Sequence, residues 1–273
     1  MNRLSNEERA RVLACLVEGN SIRATVRMTG VAKNTVAKLL CDVGRACEAY
    51  HDANVHGLTS KRIECDEIWS FVGMKEKTVP AELKGTGVGD IWTWTALDAD
   101  SKLMVSYLVG DRSGATAKVF MEDVAARLTN RVQLTTDGHS AYLQAVEDAF
   151  GSEVDYAQLV KIYGPEIGSE KRYSPAACLG SEKVVIKGSP DEALISTSYV
   201  ERQNLTMRMS MRRFTRLTNA FSKKAENHGY AVALHFMWYN FGRIHRTLRV
   251  TPAMEAGLTD HVWTLEEIAA LAD

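Results

Sequence analysis

The feature that most constrains this chain is a pair of acids, Asp66 and Glu67, in the middle of an apolar, β-rich stretch. Ile63, Cys65, Ile68, Trp69, Phe71 and Val72 surround them and predict a strand. Burying a carboxylate in a strand is costly unless it is paired or holds a metal. The plain alternative for Asp66 is an edge-strand acid facing water. Either way the segment belongs to a sheet, and the sheet must accommodate charge near its centre.

The chain after this strand keeps to a sheet-and-helix grammar. Ile91 to Leu97 alternates as a strand, Asp98-Ala99-Asp100-Ser101 is turn chemistry, and Leu103 to Val109 returns. A helix is predicted from Ala115 to Leu128, then a strand Val132 to Thr136 ending in Asp137-Gly138-His139. A helix from Ser140 to Phe150 and a fifth strand from Val154 to Tyr163 complete the order βββαβα plus one strand. Residues 164–195 are rich in Gly, Pro, Ser and Lys with little periodicity, and predict an insertion. Asp66 and Asp137 become neighbours if the first and fourth strands pair, and open mixed sheets place their sites at such strand ends. Taken alone, Asp137 also suits a tight turn, and His139 suits the cap of the next helix.

The N-terminal segment reads differently. Ser5-Asn6-Glu7-Glu8 opens one helix, Gly19-Asn20 stops it, a short helix follows from Ser21 to Gly30, and a third starts near Lys33. This is the layout of a helix-turn-helix, in which Lys33, Asn34, Thr35 and Lys38 would meet DNA. The string SIRATVRMTGVAKNTVAKLL resembles the helix-turn-helix of resolvases and of many bacterial transposases and repressors. A three-helix bundle serving only as a protein contact is the alternative.

Toward the other end, Ser198-x-x-Glu201 reads as a capping box opening a helix, with Asn204, Arg208 and Arg212 following Glu201 along one face and Arg213 and Arg216 beside them. Lys223, Lys224, Arg243, His245 and Arg246 extend the basic run. Charge is distributed unevenly. Residues 1–47 carry eight Lys/Arg against four Asp/Glu and residues 201–249 carry ten against two, so the rest holds a net charge of -13 within a total of -1. Two basic segments flanking an acidic middle predict polyanion-facing surfaces around a core that attracts divalent cations.

The five cysteines, an odd count with no CxxC, argue against a disulfide framework and a standard zinc ribbon. The polar N-terminus and the absence of a long apolar run predict a cytoplasmic, nucleoid-associated protein with no membrane partner.

The segments ECDEIWSFVG, TTDGHSAY, YVERQNLTMRMSMRRFTRLTNAFSKK and YNFGRIHRTLRVTPAMEAGL together resemble the IS1-type DDE transposases, over most of residues 61–258. The chain lacks the N-terminal cysteine motif found in many of them. The resemblance implies an α/β fold, an RNase H-like mixed five-stranded sheet flanked by helices, preceded by the all-α helix-turn-helix domain. Its implied boundaries are 1–47 for the helix-turn-helix, 48–61 for a linker, 62–249 for the catalytic domain with the 164–195 insertion, and 250–273 for a helical tail. It implies Asp66, Asp137 and Glu201 as catalytic residues and ligands of two Mg²⁺ (or Mn²⁺) ions, with Asn204, Arg208 and Arg212 on phosphates. The implied partners are the element's terminal inverted repeats and target DNA, engaged by a homodimer or larger assembly. A DNA-binding regulator with a degenerate catalytic domain, and a nuclease that cuts without rejoining, are the competing functions.

Overall fold

The computed structural model describes residues 4–164, 178–215 and 218–273. Its helices and strands are, in order, α1 (Asn6–Val17), α2 (Ile22–Thr29), α3 (Lys33–Asn54), β1 (Arg62–Val72), β2 (Gly89–Asp98), β3 (Met104–Gly110), α4 (Gly114–Arg127), β4 (Val132–Asp137), α5 (Ala141–Phe150), β5 (Val154–Tyr163), β6 (Cys178–Lys187), α6 (Ser198–Ser210), α7 (Ala225–Met237), α8 (Pro252–Glu255) and α9 (Leu265–Ala270).

The strands form one mixed sheet in the order β3-β2-β1-β4-β5-β6. β1 is antiparallel to β2 and parallel to β4, and β4 is parallel to β5. Six strands stand where five were expected. The sixth comes from within the expected insertion, pairing antiparallel with β5. It is an exposed edge strand, so it gains ladder hydrogen bonds without burying a face and leaves no alternation in the sequence. Residues 165–177 of that segment lie outside the described residues.

Register assigns each face. Trp94 of β2 packs with Phe120 of α4 and Tyr142 of α5, at centroid separations of 5.9 and 5.3 Å. Tyr107 of β3, paired with Thr95, faces the other way and meets Phe236 of α7 at 4.9 Å. Helices therefore cover both faces of the sheet.

The first half of the expected linker at 48–61 is helix. α3 continues unbroken to Asn54 because Val36, Leu40, Val43, Cys47 and His51 form a buried stripe that packs against α7. Gly44 serves close approach of the two helices: a Cβ there would lie 2.4 Å from the Tyr230 carbonyl oxygen. His51 Nε2 donates to the Val105 carbonyl at 3.0 Å, tying this helix to β3. The C-terminal tail is not separate either. α9 packs on α1, where Arg9 Nη1 meets Asp273 Oδ1 at 2.7 Å and Asn6 Nδ2 donates to the Glu266 carbonyl at 3.1 Å. Among the described residues no helix is long and apolar enough to cross a membrane.

Candidate active site

β4 ends at Asp137, whereas β1 runs on beside β2 to Val72, where it is bridged to Ser222. The last β1–β4 pair is Cys65 with Thr136, so Asp66, midway along β1, and Asp137, at the end of β4, come next where the parallel pairing stops. Beyond the end of β4 there is open space, and Glu67, from the opposite face of β1, reaches it too. One oxygen each from Asp66, Glu67 and Asp137 lie within 4.8 Å of one another. They line a pocket of about 690 Å³ that Glu201, Asn204 and Arg208 of α6 close from the far side.

Each carboxylate has a polar partner, and Arg112 is shared by two of them. Asp66 Oδ2 accepts from the Asn204 amide at 2.8 Å. Glu67 accepts from Arg112 Nε at 2.6 Å and from the Tyr142 hydroxyl at 3.1 Å. Asp137 accepts the His139 backbone N–H at 3.0 Å and has Arg112 at 3.9 Å. Glu201 accepts from Lys161 Nζ and from the Thr197 hydroxyl, and stands outside the three-oxygen cluster. Burial, then the charges of Asp137 and Glu67, push the Asp66 carboxyl up to about 7. Burial and Asp137 raise Glu67 as well, against the pull of Arg112. A hard divalent cation takes oxygen donors and would relieve this crowding of negative charge, so the donor set fits one.

α6 is held in place by a residue with no expected role. Glu64, two positions before Asp66 and on the same face of β1, is buried, and its Oε2 accepts the N–H groups of Tyr199 and Val200 at 2.8 and 3.0 Å. The capping box expected at Ser198 and Glu201 does not form. Thr197 is the N-cap residue, Ser198 is already helical, and Glu64 meets the free N–H groups.

The basic residues do not form the single rail that the sequence suggests. α6 stops at Ser210 because Met211 turns extended, and Met211 and Phe214 are buried. Asn204 and Arg208 therefore line the carboxylate pocket, while Arg212 and Arg213 diverge to a second cavity that Lys33 and Lys223 also line. Asn34, Thr35 and Lys38 are exposed on the first turns of α3, with Lys38 paired to Asp42. Lys224 precedes α7 and lies in neither pocket; Arg243 and Arg246 are exposed after α7, and the His245 ring bonds Thr247 at 3.0 Å. Arg216 lies outside the described residues. His139 lines the carboxylate pocket with its ring 5.8 Å from that of Trp94. Sequence reasoning passed over Glu64, Glu67, Arg112 and Lys161 as site residues. Of these, only Glu67 carried a signal, its place beside Asp66 in an apolar strand.

No family model matches the sequence, and no curated protein matches it. Solved structures with distant likeness include a Mos1 transposase paired-end complex with left transposon end, at 14% identity and TM-score 0.24, covering 56% of this chain and 60% of that chain. A piggyBac transposase synaptic complex with hairpin DNA shows 12% identity and TM-score 0.38 over 99% of this chain and 71% of that one. A Mos1 mariner paired-end complex with Mn shows 13% identity and TM-score 0.29 over 87% and 77%. Against the first of these the chain spans about 60% of the other's length. The chemistry of the site rests on its own carboxylates.

Proposed function

We propose that this protein is a metal-dependent DNA strand-transfer enzyme, a DDE transposase of an insertion sequence. The observation that carries the reading is the convergence of Asp66, Glu67 and Asp137 on one small volume where the parallel pairing of β1 and β4 stops, with Glu201 lining the same pocket from α6. Four carboxylates around one cleft are poorly explained by packing, since each resists burial. Divalent cations held there would supply Lewis-acid activation of a phosphodiester and of the water or 3′-hydroxyl that attacks it. Asp66 and Asp137 would be the principal ligands of such cations, and Glu201, paired here with Lys161, would be the third. Asn204 fixes the orientation of Asp66, and Arg208 meets a phosphate at the pocket mouth by charge-assisted hydrogen bonds. The first turns of α3, with Lys33, Asn34, Thr35 and Lys38, bind duplex ends as a helix-turn-helix. A dimer on DNA brings two ends together.

The test is cleavage of labelled DNA carrying the element end, with Mg²⁺ or Mn²⁺. Wild type nicks and forms joined products, and Asp66→Asn abolishes both while binding DNA nearly as well. Nicking retained by Asp66→Asn removes the carboxylate assignment. Binding with no nicking by wild type leaves a regulator, and nicking without joined products leaves a nuclease.

A further inference from the structure

A cavity of about 720 Å³ separates the N-terminal helices from the segment that follows α6. Arg23, Lys33, Arg212, Arg213 and Lys223 all line it, and no Asp or Glu among the described residues does. Opposite charge is thus missing from a space that five cations face. Arg213 hydrogen-bonds the Ser222 hydroxyl at 2.9 Å, a neutral partner, and burial lowers its pKa. The rest of the wall is apolar, including Leu16, Ile22, Leu40 and Leu234, and the Phe221 ring lies on it with Lys223 Nζ 3.3 Å from its centroid. His235 also lines the cavity, and neither of its ring nitrogens has a hydrogen-bond partner. Burial pulls this ring down to about 3, so near neutral pH it offers one N–H donor and one lone pair.

An anionic rim ligand with a flat, apolar, hydrogen-bonding body is a nucleotide. The volume suits small ligands and is too confined for a duplex. Its place along α6 is also informative. From Glu201 in the carboxylate pocket to Ser210 at the cavity, the helix rises about 13 Å, or about four nucleotides at the rise of a duplex strand. Resting on the strand-transfer reading, the geometry points to this cavity as the seat of an unpaired nucleotide of the bound DNA. The nucleotide's phosphates lie on the rim formed by Arg23, Lys33, Arg212 and Lys223. Its base lies in the chamber against Phe221 and His235.

The full chain is titrated with three DNAs: a blunt duplex, the same duplex with a short single-stranded extension, and that extension with abasic sites. Binding is read by fluorescence anisotropy and nicking is followed in the same samples. The base-bearing extension tightens binding about tenfold over the blunt duplex, the worth of one stacked base. The abasic extension gives little of that gain, and Ala231→Phe, which fills the cavity, removes it. An abasic extension that binds as tightly as the base-bearing one overturns the proposal, and that comparison needs no variant to fold. Displacement of the base-bearing extension by poly-glutamate, with the duplex still bound, also overturns it by showing a site for acidic protein. Blunt duplex bound and nicked with no gain from any extension refutes the cavity and spares the strand-transfer reading. A base-dependent gain without nicking does the reverse.

Discussion

Replacing Glu64 separates the anchoring of α6 from the chemistry the helix carries. The Glu64 carboxylate satisfies two of the N–H groups at the helix start, and the side chain is 3% exposed. Burial pushes this carboxyl up to about 7 in spite of both bonds, so near neutral pH the charge itself contributes little. What the helix requires is an acceptor oxygen at that place. Glu64→Gln supplies one without a charge, and is expected to hold stability within about 1 kcal/mol of wild type. Glu64→Ala leaves two N–H groups without an acceptor. An orphaned buried donor costs about 1–3 kcal/mol, and relief of the buried carboxyl offsets part, so about 2 kcal/mol is expected. Glu201 lies on the first turn of α6, and a displacement of about 1 Å at a catalytic group costs roughly 100-fold in rate. Urea unfolding and Mg²⁺-dependent nicking, measured on both variants together, decide the matter. If the alanine variant nicks like wild type, or glutamine does as much damage as alanine, Glu64 does not position Glu201.

Gly44→Ala puts a methyl 2.4 Å from the Tyr230 carbonyl oxygen, and forcing α3 from α7 should cost about 1–3 kcal/mol in urea or thermal unfolding; unchanged stability contradicts the helix crossing. His51 is held neutral, pulled by burial down to about 3, whereas in the unfolded chain it titrates near 6.5. Its contribution is therefore complete above about pH 6.5 and lost as pH falls, so wild type should lose up to about 1.4 kcal/mol per pH unit relative to His51→Gln; parallel stability curves would show the ring charged in the fold. Lys161 competes with cations for Glu201, and an exposed pair is worth about 0.2–1 kcal/mol, so Lys161→Met should lower the Mg²⁺ needed for half-maximal nicking by up to about fivefold. A higher requirement would mean that Lys161 places Glu201 rather than competing for it.

Local signals were legible where the physics is local. The Ser5–Glu8 and Thr264–Glu267 capping boxes form as the residues announce, and Asp98 bonds the backbone of its own turn. The first and fourth strands pair, so Asp66 and Asp137 meet as the strand order suggested. Illegible were choices settled by a partner elsewhere in the chain. β6 exists because β5 offers it an edge, α3 persists past Gly44 because α7 lies against it, and α6 ends where Met211 and Phe214 find the core. Arg112 and Lys161 carry no local mark of a site; register alone brings them to Glu67 and Glu201.

The capping pattern at Ser198 shows how this ambiguity resolves into chemistry. By its spacing, Glu201 could turn back to serve its own helix start, and a carboxylate so used is withdrawn from any other task. Glu64, 135 residues earlier in the chain, takes that duty through the Tyr199 and Val200 N–H groups. Glu201 falls one residue further in, still on the first turn and at the wall of the carboxylate pocket, where it accepts from Lys161 and Thr197. A half-exposed lysine is a partner that a divalent cation can replace, whereas two backbone amides at a helix start are not. Two acids on one face of β1 thus divide the work, with Glu64 fixing the helix and Asp66 facing what the helix delivers.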